Sequence, residues 1–160
     1  MKTKVKYIPD GFHAVTPYLT VKDVSQAIEF YKRAFGARER MRMPMPDGKV
    51  AHAELQLADS IILLGQECPE HGSVSAHTLE GSPVSLTLYV ENVDGAFKRA
   101  VDAGATVKEP VADKFWGDRA GSITDPFGHR WMLLTHIEDV SPVEMKDRMA
   151  EAFSMAGSKK

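Results

Sequence analysis

PYLTVKDVSQAIEFYKRAFGA, residues 17–37, decides the fold, because the chain carries this stretch twice. The second copy is SLTLYVENVDGAFKRAVDAGA, residues 85–105. Leu19, Val21, Val24 and Ala27 recur as Leu88, Val90, Val93 and Ala96 at an offset of 69 residues, and Gly36-Ala37 recurs as Gly104-Ala105 at 68. A repeat of this length is a whole supersecondary unit, not a solenoid turn. Each copy reads as strand, helix, stop. Val15, Leu19 and Val21 alternate with Thr16, Tyr18 and Thr20, the period of a half-buried strand. Asp23 stands at an N-cap with Gln26 as its capping-box partner; Val24, Ala27, Ile28, Tyr31 and Phe35 follow at helical spacing, and Gly36 stops the helix. In the second copy Leu86, Leu88 and Val90 make the strand, Asn92 the cap, Val93, Ala96, Phe97, Ala100 and Val101 the buried stripe, and Gly104 the stop.

The rest of the chain extends both copies to the same plan. Residues 38–45 form a weakly apolar strand, Pro46-Asp47-Gly48 a turn, and residues 50–57 and 60–64 a hairpin across Ala58-Asp59. In the second half, strands cover residues 106–113, 119–124 and 129–136, with Asp125-Pro126-Phe127-Gly128 as a tight turn. The result is α+β: two tandem βαβββ modules, at about 12–66 and about 84–136, forming a cupped mixed sheet within a single domain. Residues 67–83 link them, rich in Gly, Ser, Pro and His and without periodicity; a connection this long points to mobility or function. A C-terminal helix over about 141–156 opens with the capping box Ser141-Pro142-Val143-Glu144 and carries the stripe Met145, Met149 and Phe153, suited to covering the domain or a partner subunit.

Composition narrows the function classes. A net charge of −2 with scattered Lys and Arg excludes a nucleic-acid footprint. No apolar run approaches the roughly 20 residues of a membrane span, and the opening MKTKVKYIPDG lacks an apolar signal core, which points to a soluble cytoplasmic protein. The lone Cys68 excludes an internal disulfide and suits a reducing compartment; nothing near it marks an activated thiol. His71 and His77 read as solvated loop residues, as do His129 and Arg130 beside the tight turn.

Alternation assigns the faces. With Leu19, Val21, Leu88 and Val90 under the helices, Thr16, Tyr18, Thr20, Ser85, Thr87 and Tyr89 point to the concave side. Pairing Leu57 with Ser60 sets Glu54 opposite Leu63 and His52 opposite Gly65, so His52, Glu54 and Leu63 share that side, with Met132 from the last strand. The same parity adds Arg119 and Ile123. Phe115 and Trp116 fall in a rim loop, where they suit stacking on a planar ligand or filling a dimer interface. Mixed apolar walls with a few polar groups are what a small-molecule pocket needs. His52 and Glu54, two apart on one strand face, reach a common point; they suit an acid–base pair, or two ligands of a metal that would need a third and would be repelled by Arg119.

The motifs V-x-D-V-x-x-A-I-x-F-Y at 21–31 and D-P-F-G-H at 125–129, on paired βαβββ modules, resemble the vicinal oxygen chelate superfamily of glyoxalases, fosfomycin-resistance transferases, extradiol dioxygenases and bleomycin-binding proteins. The resemblance covers roughly residues 12–136 and implies a homodimer whose cups are completed across subunits. It also implies inward metal ligands on the first, fourth, fifth and last strands, which fall here on Thr16, Leu63, Ser85 and Met132. None is a credible ligand for a divalent metal. The expectation is therefore no metal or other cofactor, and a small organic molecule bound by Thr16, Tyr18, Leu63, Ser85, Tyr89, Trp116, Arg119 and Met132. The alternative is a lyase, isomerase or dioxygenase of the same superfamily using Glu54 and His52 as acid–base pair or displaced ligands; a purely structural partner protein is a third class.

Overall fold

The computed structural model describes residues 5–157. In order they form β1 (Tyr18–Val21), α1 (Val24–Phe35), β2 (Arg38–Pro44), β3 (Val50–Leu57), β4 (Ser60–Gln66), a single 3-10 turn (Pro69–His71), β5 (Ser85–Tyr89), α2 (Val93–Asp102), β6 (Thr106–Asp113), β7 (Asp118–Thr124), β8 (Arg130–His136) and α3 (Pro142–Gly157). The strands make two four-stranded mixed sheets of the same internal order, β1-β4-β3-β2 and β5-β8-β7-β6. In each, the first strand runs parallel to the fourth and the rest are antiparallel. The repeat is thus a repeat of topology. No described helix is long and apolar enough to cross a membrane.

The helix signals act as their chemistry requires. Asp23 accepts from the Gln26 backbone N–H and side-chain amide, Asn92 from the Gly95 N–H, and Ser141 from the Glu144 N–H. Gly36 closes α1 in the left-handed conformation at φ 67°, where a side chain would be strained. Helix α1 buries Val24, Ala27, Ile28, Phe30, Tyr31 and Ala34 against its sheet, each large side chain contributing about 1.5–3 kcal/mol. One apolar core runs through both halves, from Leu19 and Leu55 to Trp131 and Leu133. One expectation fails at the start of β1: Val15 lies outside the strand and is exposed, and Thr16 turns its hydroxyl onto the His13 carbonyl.

Across the halves the joint is polar at its centre. Asp125 is buried, and its Oδ2 accepts from the Tyr31 hydroxyl at 2.6 Å and the Trp131 indole at 2.9 Å. Its Oδ1 accepts the backbone N–H groups of Phe127 and His129, which is what folds D-P-F-G-H into a tight turn. Around this carboxylate Phe30, Tyr31 and Phe35 of α1 meet Phe127 and Trp131 of the second half, with ring centroids 4.8–6.1 Å apart. His129 is therefore buried, not solvated, because the turn that forms around Asp125 folds it inward. Residues 67–83 are ordered as well. Glu67 accepts from the Ser75 N–H, with that residue's hydroxyl and Thr78 holding its carboxyl at about 2; Cys68 bridges to Ser73; His77 contacts the Pro126 carbonyl at 2.8 Å; and His71 lies against Cys68 at 3.1 Å.

Burial would raise the Asp125 carboxyl, but the His129 imidazole, the Tyr31 hydroxyl and the Trp131 indole outweigh it and hold the group below its ordinary value. Such a group adds stability above its unfolded value, lost as pH falls through the lower folded value. Tyr31→Phe removes one donor from a buried charge, so it should cost about 1.5–3 kcal/mol in urea unfolding and move the acid transition to higher pH. A loss inside experimental error would show that the bridge is not carrying stability.

Candidate functional site

Each sheet buries one face under its helix and leaves the other concave and open. On the first sheet the concave face carries Tyr18, His52, Glu54, Ile61 and Leu63, with the register expected: His52 opposite Gly65 and Glu54 opposite Leu63. The Tyr18 ring stacks on His52 at 5.6 Å between centroids, and its hydroxyl lies 3.4 Å from His52 Nδ1. This arrangement needs a bare backbone at position 65, since a Cβ there would collide with the Tyr18 ring and hydroxyl. Glu54 faces Arg40, whose Nε is 4.0 Å from Oε2 and whose guanidinium sits over the Phe12 ring at 5.4 Å. A bulge in β2 between Glu39 and Met41 frees Arg40 from the ladder and turns Met41 and Met43 onto the concave face beside Glu54 and His52. Arg40, Met41, Met43 and Phe12 were not read from the sequence; the two methionines in a strand of alternating charge were the available signal.

The second sheet gathers Thr87, Tyr89, Asp118, Ser122, Met132 and His136 on its concave face. Its polar centre is Asp118, a buried carboxylate that the sequence reading missed. Oδ2 accepts from the Trp116 indole at 2.8 Å and the Tyr89 hydroxyl at 3.3 Å, while Oδ1 lies 2.8 Å from His136 Nδ1. His136 Nε2 is 3.0 Å from Asp139. The two flanking carboxylates, Asp139 and then Asp118, raise the imidazole above its ordinary value. Burial, and then the Asp118 charge, raise the Tyr89 phenol. Trp116 is accordingly a half-buried prop for Asp118, packed edge-on to Phe115 at 5.1 Å.

Arg119 corrects the sequence reading. It pairs with Thr135, and Ile123 pairs with Trp131, so both point to the helix side. Arg119 there forks onto Asp94 of α2 at 2.8 Å through two nitrogens and reaches Asp113 at 2.8 Å. It takes no part in the concave face. Among the positions implied for a metal, Thr16 is turned to its own loop, Ser85 is an exposed hydroxyl, and Leu63 and Met132 supply no hard donor. These residues do not fit a divalent metal. Glu54 and His52 share a strand face as expected, but Arg40, not a third ligand, completes their surroundings.

Comparisons with known proteins agree with this fold. The model of a family described as the Glyoxalase/Bleomycin resistance protein/Dioxygenase superfamily matches residues 11–133. An uncharacterized protein of Mycobacterium tuberculosis is 41% identical over 140 residues, covering 86% of this chain and 82% of its own. Among solved structures, TioX from Micromonospora sp. ML1 superposes with a TM-score of 0.61 at 29% identity, covering 78% of this chain and 99% of that one. An Arabidopsis thaliana protein does so with 0.62 at 34%, covering 76% and 98%.

His136 generates a prediction with a definite sign. A histidine held charged contributes stability fully below its unfolded value near 6.5, and that stability is lost as pH rises through the raised folded value. The thermal midpoint of His136→Gln should therefore fall below wild type at acid pH, with the gap closing above neutrality. A gap constant across the range would mean that His136 is not charged in the fold.

Proposed function

The chain belongs to the glyoxalase/bleomycin resistance protein/dioxygenase superfamily, and on that premise we propose that it binds a small organic molecule in the cup of its sheets without the superfamily's metal. One observation carries this reading: the concave faces combine apolar walls with a few fixed polar groups, while the four positions that would ligate a metal are occupied by Thr16, Leu63, Ser85 and Met132. The ligand's ring or chain lies against Leu63, Ile61, Met132 and the mobile thioethers of Met41 and Met43, which adapt to irregular shapes. Tyr18 with His52, Glu54 with Arg40, and Tyr89 with Asp118 orient its polar groups; the Phe115-Trp116 pair stands at the rim.

We further propose a homodimer in which the cup is completed by a second copy. Tyr18, Met43 and Tyr89 on the open faces are exposed, and so are Val143, Met149, Phe153 and Met155 of α3. That helix is tied to the domain by polar contacts, through Arg148 to Glu138 and to the Phe115 carbonyl. Apolar patches of this extent mark an interface, because monomers rarely expose more than a few hundred Å² together.

Native mass spectrometry of freshly purified protein tests both parts together. The expected result is a dimer without stoichiometric metal that retains a small organic molecule, with retention weakened about tenfold or more in His52→Ala and Glu54→Ala. One metal per subunit, lost in Glu54→Ala, would overturn the reading in favour of a lyase, isomerase or dioxygenase using Glu54 and His52. A bare monomer would remove the dimer.

A further inference from the structure

At one end of the second sheet, where the connecting segment meets it, a cavity of about 880 Å³ opens between Ala76 and Gly81 on one side and strands β6, β7 and β8 on the other. The strand register fixes what the sheet presents there. Arg130 of β8 pairs with Thr124 of β7, and Thr124 pairs with Thr106 of β6. The three side chains therefore stand in one row across roughly 10 Å of sheet. Arg130 lies two residues before Met132 on the same strand, so this row continues the concave face past Met132. The ladder of β6 is irregular between Val107 and Glu109, and the extra residue, Lys108, lines the same cavity.

Two cations and two hydroxyl groups thus stand together with nothing of the chain's own to bind. Among the described residues, the side chains of Arg130, Lys108, Thr106 and Thr124 form no ion pair and no hydrogen bond. The nearby carboxylates do not serve them. Asp125 is filled by its four donors, and Glu109 is taken by Lys114. Glu80 lines the cavity from the connecting segment without pairing to either cation. Of the other polar groups there, His77 bonds to the Pro126 carbonyl and Ser82 to Val84.

The chemistry of this set is that of an oxyanion receptor. A guanidinium offers a planar fork, an ammonium a point charge, and hydroxyl groups donate to the remaining lone pairs. We propose that this end of the second concave face is a subsite for the carboxylate or phosphate of the bound molecule. The anionic group sits at Arg130 and Lys108 and the apolar part lies on Met132. The proposal rests on the reading that the cup holds a small organic molecule, and adds that this molecule is an anion. The volume falls within the roughly 300–1,000 Å³ of small-molecule sites.

Ligand-observed NMR titration of the full chain with benzoate, phenyl phosphate and the neutral benzamide tests it, with inorganic phosphate reading the subsite alone. Saturable binding of benzoate, phenyl phosphate or both at millimolar concentration is expected, with benzamide about tenfold weaker or more. The tighter of the two anions tells a carboxylate head group from a phosphate. Arg130→Gln and Lys108→Gln, at exposed positions, should each weaken the anions severalfold and leave benzamide unchanged. Glu80→Gln removes the unpaired negative charge beside them and should tighten the anions. Met132→Ala should weaken all three ring probes alike and spare inorganic phosphate. Equal affinity for benzoate and benzamide, absence of saturable anion binding, or anion binding that survives Arg130→Gln and Lys108→Gln combined overturns the subsite and leaves the cup reading standing. Phosphate binding lost in Arg130→Gln, in a protein that retains no organic molecule, would uphold the subsite and overturn the cup reading.

Discussion

The buried carboxylate of Asp125 is the constraint on which the rest of the molecule depends. A charge with little access to water is tolerable only if its acceptor sites are filled, and two of its four donors come from its own turn. The other two come from Tyr31 and Trp131, so the charge is satisfied only when α1 of the first half and β8 of the second lie together. Apolar contact alone would permit sliding of one aromatic surface over the other. The carboxylate fixes one alignment, and the rings of Phe30, Phe35 and Phe127 pack around it.

With the halves pinned on the helix side, the sheets present their other faces outward. The first is organised by Tyr18 lying flat over Gly65 to meet His52, the second by Asp118 with Trp116, Tyr89 and His136. The halves share a topology and differ in their polar centres: an aromatic–imidazole stack in one, a buried carboxylate beside a histidine whose charged form it favours in the other. A cup built from both has walls of different character, which lets it orient an asymmetric molecule.

Most of the architecture was legible in the sequence because caps, stops and alternation are local properties. The β3–β4 register followed from a two-residue turn, which pairs even positions with odd ones, and His52 and Glu54 fell where expected. Arg119 was misplaced because the same parity was carried to β7 and β8. There the intervening turn, Asp125 to His129, has five residues and pairs odd with odd, which sends Arg119 and Ile123 to the helix side with Trp131. Arg40 was invisible for a related reason: a bulge resets the alternation of β2 at that point. Asp118 looked like a loop residue, and only the fold brings Tyr89, Trp116 and His136 to it. His129 looked solvated because nothing local announces that the turn before β8 will be packed under a neighbouring half, whereas His77 is exposed as expected.

The Tyr31–Asp125 contact spans 94 positions along the chain. A ribosome delivers residues at roughly 5–20 per second, so the aromatic face of α1 emerges roughly 5–20 seconds before Phe127 and Trp131 exist to cover it. During that interval Phe30, Tyr31 and Phe35 form a greasy ridge on a half-made protein. The nascent chain is most vulnerable to misassociation in this window, and the same long-range bridge that aligns the finished molecule makes its first half dependent on shelter while it waits.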